Sequence, residues 1–202
     1  QGYTVVHAGA SAPTRAVPWR LAAAAVARLR DEGRRVVLTG SAGDRGENGV
    51  IAAAARFAEP EGATGPPGIV DLAGRTGLGE LAAVLHRADA VVTGNTGPAH
   101  LAAAVGTPVV SLFAPVVPLS SWGPHGVPVR VLGDQSAPCR DTRARHCPVP
   151  GHPCLNGVDP ADIAHAVGEV EKEAAERAAP AARRPDDGAA EAVVPNTVRE
   201  GA

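Results

Sequence analysis

Residues 94–100 are Gly94-Asn95-Thr96-Gly97-Pro98-Ala99-His100, and this stretch is the most informative part of the sequence. An apolar run at residues 88–93 precedes it and predicts a buried strand, whereas residues 101–105 predict a short buried helix. A strand that turns into a helix leaves backbone N–H groups pointing at one place, where the helix dipole adds positive potential. The stretch therefore predicts an anion site, most often a phosphate site, at the end of a strand.

The residues of this turn suit a diphosphate ligand. Gly94 and Gly97 are expected to let a ligand approach the backbone, because glycine carries no side chain. Asn95 offers an amide, Thr96 a hydroxyl and His100 a ring N–H. Pro98 fixes the first helical turn. The alternative is an ordinary strand–helix connection in which His100 packs in the core.

Strand and helix signals alternate along most of the chain. Strands are predicted at residues 3–7, 35–39, 69–72, 88–93, 109–113 and 127–132, and helices at 21–30, 48–58, 78–87 and 101–105. Strands this apolar are buried on both faces, so the pattern predicts an α/β fold with a doubly wound, Rossmann-like parallel sheet. Ligands bind at the carboxyl ends of the strands in such sheets.

The region after residue 133 is organised differently. Residues 134–158 are irregular, and a helix capped by Asp159 is predicted to run from Pro160 to about residue 178. Residues 180–202 lack hydrophobic periodicity and are predicted to be a disordered tail. We therefore expect one ligand-binding domain at residues 1–170, with the end of the last helix and the tail at residues 171–202.

Two further loops follow predicted strands and face the same end of the sheet. Ser11 offers a hydroxyl and Arg15 a guanidinium that fits a diphosphate, although a solvated loop explains both equally well. Asp44 and Glu47 follow the second strand, where a carboxylate can accept hydrogen bonds from ribose hydroxyls. Asp44 is equally well explained as a helix cap.

Composition excludes several classes of function. The 202 residues carry a formal net charge of −2, so nothing indicates electrostatic binding to nucleic acid or an anionic membrane. No apolar run reaches the roughly 20 residues of a membrane span, and no leader is visible, so we expect a cytoplasmic protein. Because the chain has no methionine and starts almost inside a strand, we interpret it as part of a longer protein; a processed or engineered start is the alternative.

The three cysteines do not follow a zinc-site pattern. Seven residues separate Cys139 from Cys147 and six separate Cys147 from Cys154, unlike the CxxC pairs of structural zinc sites. Free thiols, or one labile pair and a spare, are the favoured interpretation. The chain also lacks the GxSxG, HExxH and GxxxxGK[ST] motifs of serine hydrolases, zincins and P-loop proteins.

Four segments, in order along the chain, resemble the motifs of family 9 glycosyltransferases, the ADP-heptose:lipopolysaccharide heptosyltransferase family. They are VHAGASAPTRAVPW at residues 6–19, DLAGRT and LGEL at 71–81, TGPAHLAAA at 96–104, and VVSLFAP with WGP at 109–124. The resemblance covers residues 4–170 and implies the C-terminal, donor-binding half of a two-domain B-type glycosyltransferase fold.

This resemblance also implies a function. Such enzymes transfer a sugar, with inversion and without a metal, from a nucleotide-sugar donor, here expected to be ADP-linked and heptose-like, to a glycan or small-molecule acceptor. Ser11, Arg15, Asn95, Thr96, Gly97, Pro98 and His100 would hold the donor, with Asp44 or Glu47 on the ribose. The catalytic base would lie in an N-terminal acceptor domain that this sequence does not include.

Two other functions stay open at this point. One is a non-catalytic nucleotide-binding module, or a half-enzyme that needs a partner N-terminal domain. The other is a nucleotide-sugar 2-epimerase of the same architecture, which would prefer UDP and carry further acidic and histidine residues in its cleft.

Overall fold

A computed structural model of the chain describes residues 2–57 and 68–179. Their centre is a six-stranded sheet in which all pairs are parallel and the order is β3-β2-β1-β4-β5-β6. The strands are β1 Thr4–His7, β2 Val36–Thr39, β3 Ile69–Asp71, β4 Ala90–Gly94, β5 Val109–Leu112 and β6 Val129–Leu132. The doubly wound, Rossmann-like sheet expected from the sequence is confirmed.

Seven α-helices connect and follow these strands within the described ranges. They are α1 Trp19–Asp31, α2 Arg45–Phe57, α3 Leu78–His86, α4 Gly97–Ala104, α5 Leu119–Trp122, α6 Pro153–Asn156 and α7 Pro160–Ala178. Short 3₁₀ turns at Pro13–Arg15 and Ala42–Asp44 lie in the loops after β1 and β2. Asp159 caps α7, since its carboxylate accepts the Ala161 N–H at 2.8 Å.

Helices cover both faces of the sheet. Alternate strand residues such as Val6 and Val92 pack with α1, α2 and α7 into one buried cluster. Their neighbours Val5 and Val91 pack with α3 and α4 into a second cluster on the opposite face. Because both faces are buried, the central strands carry apolar residues on both faces rather than at alternate positions.

The strand order reverses between β1 and β4, and this reversal positions the site. Crossovers from β1 proceed outward through β2 to β3, whereas those from β4 proceed through β5 to β6. The connections that leave the carboxyl ends of β1 and β4 therefore run in opposite directions, and doubly wound sheets bind their ligands beside such a reversal.

Some boundaries differ from the sequence expectation. Helix α4 begins at Gly97 rather than at residue 101, so Gly97 to His100 form its first turn. The irregular segment 134–158 contains the short helix α6, whereas α7 ends at Ala178, as the sequence predicts. The expected tail at residues 180–202 lies outside the described residues.

Candidate functional site

The loop after β1 is packed directly against the end of β4. A Cβ atom placed on Gly94 would lie 2.1 Å from the carbonyl oxygen of Arg15. A backbone atom cannot move aside as a flexible side chain can, so only glycine permits this contact. Gly94 therefore brings the two loops together and is not open to a ligand, which differs from the expectation for this residue.

Arg15 lies beside the β4–α4 turn that the sequence singled out. Its Nη1 atom is 3.5 Å from the carbonyl oxygen of Asn95, and its side chain is half-buried. The guanidinium still has most of its N–H donors available. Arg15 and the turn are thus neighbours, as the prediction of a shared site requires.

Asn95 is held inside the protein, with 3% of its surface exposed. Its Nδ2 donates to the carbonyl oxygen of Ala114 at 3.1 Å, and its Oδ1 accepts the Ala114 N–H at 3.2 Å. The amide thereby joins the turn after β4 to the chain that follows β5. Its side chain serves first to fix the turn, and its role toward a ligand stays a prediction.

The start of α4 is the open part of the turn. Among the described residues, the Gly97 N–H has no hydrogen-bond partner, and a Cβ placed on Gly97 would meet no atom within 4 Å. Thr96 precedes the helix without capping it, since its hydroxyl lies 3.4 Å from the Gly94 carbonyl oxygen. Pro98 occupies the first helical turn, and His100 is exposed one turn in.

The loop after β2 reaches back toward β1. Asp44 Oδ2 accepts hydrogen bonds from the N–H of Ser41 at 2.6 Å and from its hydroxyl at 2.7 Å, which makes Asp44 a capping residue. The same carboxyl group covers Gly9, where a Cβ would lie 2.7 Å from Asp44 Cγ. Glu47, in the first turn of α2, is exposed.

His7 is a polar residue of this region that the sequence analysis did not single out as a site residue. It is the last residue of β1, is 8% exposed, and its Nδ1 lies 2.9 Å from Thr39 Oγ1. Burial lowers the pKa of His7, and the negative charge of Asp44 partly opposes that shift. A histidine in an otherwise apolar buried strand was the available signal.

These observations place a guanidinium, an open helix N-terminus and nearby carboxylates at one end of the sheet. Comparison with known proteins identifies the family of the chain. Residues 1–152 match the family Glycosyltransferase family 9 (heptosyltransferase). The chain belongs to glycosyltransferase family 9.

Two relatives illustrate the family match. Over 44 residues, the chain is 43% identical to the lipopolysaccharide core heptosyltransferase OpsX of Haemophilus influenzae. The aligned residues make up 22% of this chain and 13% of OpsX. The structure of the E. coli ADP-heptose lipopolysaccharide heptosyltransferase II superposes with a TM-score of 0.67 at 25% identity. That match covers 85% of this chain and 47% of the E. coli protein, so the chain spans about half the length of this relative.

The iron-containing dodecameric glycosyltransferase TibC of enterotoxigenic E. coli shares the fold of this family 9 chain. Its TM-score is 0.57 at 16% identity, over 85% of this chain and 45% of TibC. Within residues 2–57 and 68–179, no group of three or more histidine, cysteine or acidic side chains is arranged to hold a metal ion.

The three cysteines are free thiols that lie near one another. Cys139 and Cys154 are each 1% exposed and belong to the main core. Burial, together with the nearby Cys139 and Cys147, raises the pKa of the Cys154 thiol to about 12. Cys154 is thus protonated and unreactive at neutral pH, as expected of a structural cysteine.

We name residues 134–156 the strap, because they cross the β1–α1 loop of this family 9 chain. The Arg145 carbonyl oxygen accepts the Thr14 N–H at 3.1 Å, and Arg145 Nη2 donates to the Ser11 carbonyl oxygen at 3.1 Å. The Ser11 side chain itself is exposed. No local sequence pattern indicates these contacts, which join residues more than 130 positions apart.

A cavity of about 750 Å³ lies elsewhere, between α1 and α7. Several of its charged side chains are paired with one another, for example Arg130 with Glu169 at 3.1 Å and with Glu173 at 2.9 Å. Arg34, which lines it and pairs with Glu171, precedes β2, so this groove lies toward the amino ends of the strands. Ligands of doubly wound sheets bind at the opposite end, so this groove is not the candidate site.

Proposed function

We propose that this chain is the C-terminal, donor-binding half of a family 9 glycosyltransferase. The proposed reaction transfers a heptose-like sugar, with inversion, from a nucleoside diphosphate sugar to a glycan or small-molecule acceptor. One observation carries the proposal: Arg15 lies beside the turn that leads into the open N-terminus of α4. The connections that follow β1 and β4 run in opposite directions at this place. We assign residues 1–170 to the donor domain, together with the remainder of α7.

The chemistry of the site favours a diphosphate. The Gly97 N–H, the dipole of α4 and the Arg15 guanidinium all favour negative charge, and space is open above Gly97. His100 adds an exposed ring one turn into the helix. The names of the relatives, a lipopolysaccharide core heptosyltransferase and an ADP-heptose heptosyltransferase, support an ADP-linked heptose as the donor.

These groups would act on charge that develops during the reaction. As the bond from the anomeric carbon to the β-phosphate oxygen breaks, its electron pair passes to that oxygen. The acceptor oxygen bonds to the anomeric carbon from the opposite face, and its proton passes to a base that we place in the N-terminal half. Arg15, Gly97 N–H and His100 would stabilise the departing diphosphate, and we propose that no metal is needed for this.

The nucleoside would lie toward the loop after β2. Asp44 has one oxygen occupied twice by Ser41, whereas Glu47 is exposed on the first turn of α2. Both carboxylates stay candidates for the ribose hydroxyls, and substitution separates them, as described below.

Calorimetry of the chain with ADP and with inorganic pyrophosphate tests this proposal. We expect both to bind, and we expect Arg15→Ala and His100→Ala to weaken binding by about tenfold each, the equivalent of one charge-assisted hydrogen bond. Melting temperatures should stay close to that of the wild type, because both side chains are at least partly exposed. Undiminished binding by both variants would rule out the assigned site.

A second experiment separates a glycosyltransferase half from a binding module. The chain is joined to, or mixed with, the N-terminal half of a family 9 enzyme, and sugar transfer and donor hydrolysis are measured. Turnover that depends on Arg15 supports the proposal. Tight ADP binding with no turnover in any combination would favour the nucleotide-binding module instead.

A further inference from the structure

We propose that Arg145, on the strap, is a positioning residue for the donor site. It holds the β1–α1 loop so that the Arg15 guanidinium faces the β4–α4 turn. The inference rests on the proposed function, since it concerns how the same site is kept in shape.

Arg145 ties the loop at two points three residues apart. Its main-chain carbonyl accepts the Thr14 N–H, and its guanidinium donates to the Ser11 carbonyl oxygen, both at 3.1 Å. The other backbone hydrogen bonds of this loop, such as Arg15 N–H to the Ala12 carbonyl at 2.9 Å, join residues within 8–17.

The strap has a firm base from which to hold the loop. Its ends are joined, since the Asp134 N–H donates to the Cys154 carbonyl oxygen at 3.0 Å, and Cys139 and Cys154 are buried in the core. In the middle, the N–H groups of Asp141 and Arg143 donate to the carbonyls of Pro115 and Val116, each at 2.8 Å. The strap is thereby fixed to the chain that follows β5.

Asp141 and Arg143, which make this attachment, have unusual backbone conformations. Their φ angles are +59° and +56°, in the left-handed region that residues other than glycine rarely adopt. Such conformations persist only where the surrounding structure enforces them, and they concentrate at functional sites. The attachment is therefore a specific feature of the strap rather than incidental contact.

The loop is enclosed between the strap and the end of β4. On the β4 side the Arg15 carbonyl abuts Gly94, and Arg15 Nη1 faces the Asn95 carbonyl. The Thr14 side chain is 1% exposed, yet its hydroxyl has no hydrogen-bond partner among the described residues. The side chain of Thr14 thus does not orient the loop by hydrogen bonding. The backbone hydrogen bonds of the loop and the Arg145 side chain orient it instead.

Removing the Arg145 side chain should loosen the loop without unfolding the chain. The guanidinium is exposed and makes one hydrogen bond to Ser11, so its loss widens the range of positions open to Arg15. We expect Arg145→Ala to weaken the binding of ADP and of pyrophosphate by about three- to tenfold. Arg145→Lys, which retains one cationic donor able to reach the Ser11 carbonyl, should recover part of that loss.

The experiment compares Arg145→Ala, Arg145→Lys and Arg140→Ala with the wild-type chain. Arg140 is the matched control, an exposed strap arginine that pairs with Asp141 and not with the loop. Calorimetry with ADP and pyrophosphate measures affinity, and amide hydrogen exchange of residues 11–16 without nucleotide measures how firmly the loop is held. Thermal melting shows whether the fold is retained.

Faster exchange at residues 11–16 and weaker binding in Arg145→Ala, partial recovery in Arg145→Lys and no change in Arg140→Ala would support the inference. If the wild type binds ADP, Arg15→Ala weakens that binding, and Arg145→Ala equals the wild type, then the inference fails and the proposed function stands. If the wild-type chain binds neither probe, the proposed function fails and this inference fails with it.

Discussion

The two halves of the β4–α4 turn differ in what surrounds them. Gly94 and Asn95 are buried and fully engaged, the first against the Arg15 backbone and the second in two hydrogen bonds to Ala114. Gly97 and His100, only a few residues later, are exposed and open. One short motif thus contains both the scaffold that assembles the site and the groups that remain available to a ligand, and substitution should separate the two.

Exchanging each glycine for alanine gives the widest separation. Gly94→Ala places a Cβ against the Arg15 carbonyl and must displace the β1–α1 loop. We expect it to lower the free energy of unfolding by about 2–3 kcal/mol and to weaken ADP binding more than tenfold. Chemical denaturation and calorimetry measure both effects.

Gly97→Ala is the matched control, because its Cβ would enter open space at the start of a helix. Its stability should match or exceed that of the wild type by up to about 1 kcal/mol, while ADP binding weakens if the diphosphate approaches this backbone. Equal stability losses in the two variants would contradict the division of the turn.

Asn95→Ala should be nearly as destabilising as the Gly94 variant. The substitution removes both hydrogen bonds and leaves the Ala114 N–H and carbonyl unpaired inside the protein. We expect a loss of about 2–3 kcal/mol in the free energy of unfolding, measured by denaturant titration. The exposed His100→Ala should lose less than about 0.5 kcal/mol, and a similar loss in both variants would show that Asn95 does not fix the turn.

The two carboxylates after β2 should differ on a smaller scale. Asp44→Asn weakens the capping of Ser41 and should cost about 0.5–1 kcal/mol of stability, whereas Glu47→Gln should cost almost none. The residue that contacts the ribose should, when substituted, weaken ADP binding and leave pyrophosphate binding unchanged. If neither variant separates the two ligands, the ribose contact lies elsewhere.

The smallest effect expected is a pH dependence that comes from His7. Because burial lowers its folded pKa below the usual 6.5, the unfolded chain takes up the proton first as the pH falls. Its contribution to stability is thus present above pH 6.5 and is lost as the pH falls through the folded pKa. His152, whose pKa burial also lowers, acts in the same direction.

Denaturation of His7→Gln between pH 7.5 and pH 5 tests this assignment. The variant should show a shallower decline in stability than the wild type, and the exposed His125→Gln should not. An unchanged slope in His7→Gln would mean that another group accounts for the acid sensitivity.

Local patterns were enough to predict the fold. Apolar runs separated by helical segments predicted six strands, and all six lie within two residues of their expected bounds at each end. The same patterns located the turn at residues 94–100, because a glycine pair between a strand and a helix is a local feature. The strand order itself was not predicted, since it depends on which strands pair across the whole sheet.

The contacts that shape the candidate site could not be predicted in this way. The sequence did not indicate that the Asn95 amide bonds to Ala114, on the connection that follows β5. Gly94 was expected to admit a ligand, but the Arg15 backbone occupies that space. The strap contacts the β1–α1 loop through residues more than 130 positions away, and no spacing rule covers such a distance.

A crystal structure of the chain with ADP would test the central claim most directly. We predict that the diphosphate lies within hydrogen-bonding distance of the Arg15 guanidinium and the Gly97 N–H, at the carboxyl ends of β1 and β4. A diphosphate bound anywhere else, such as the charged groove between α1 and α7, with Arg15 and Gly97 left unoccupied, would contradict it.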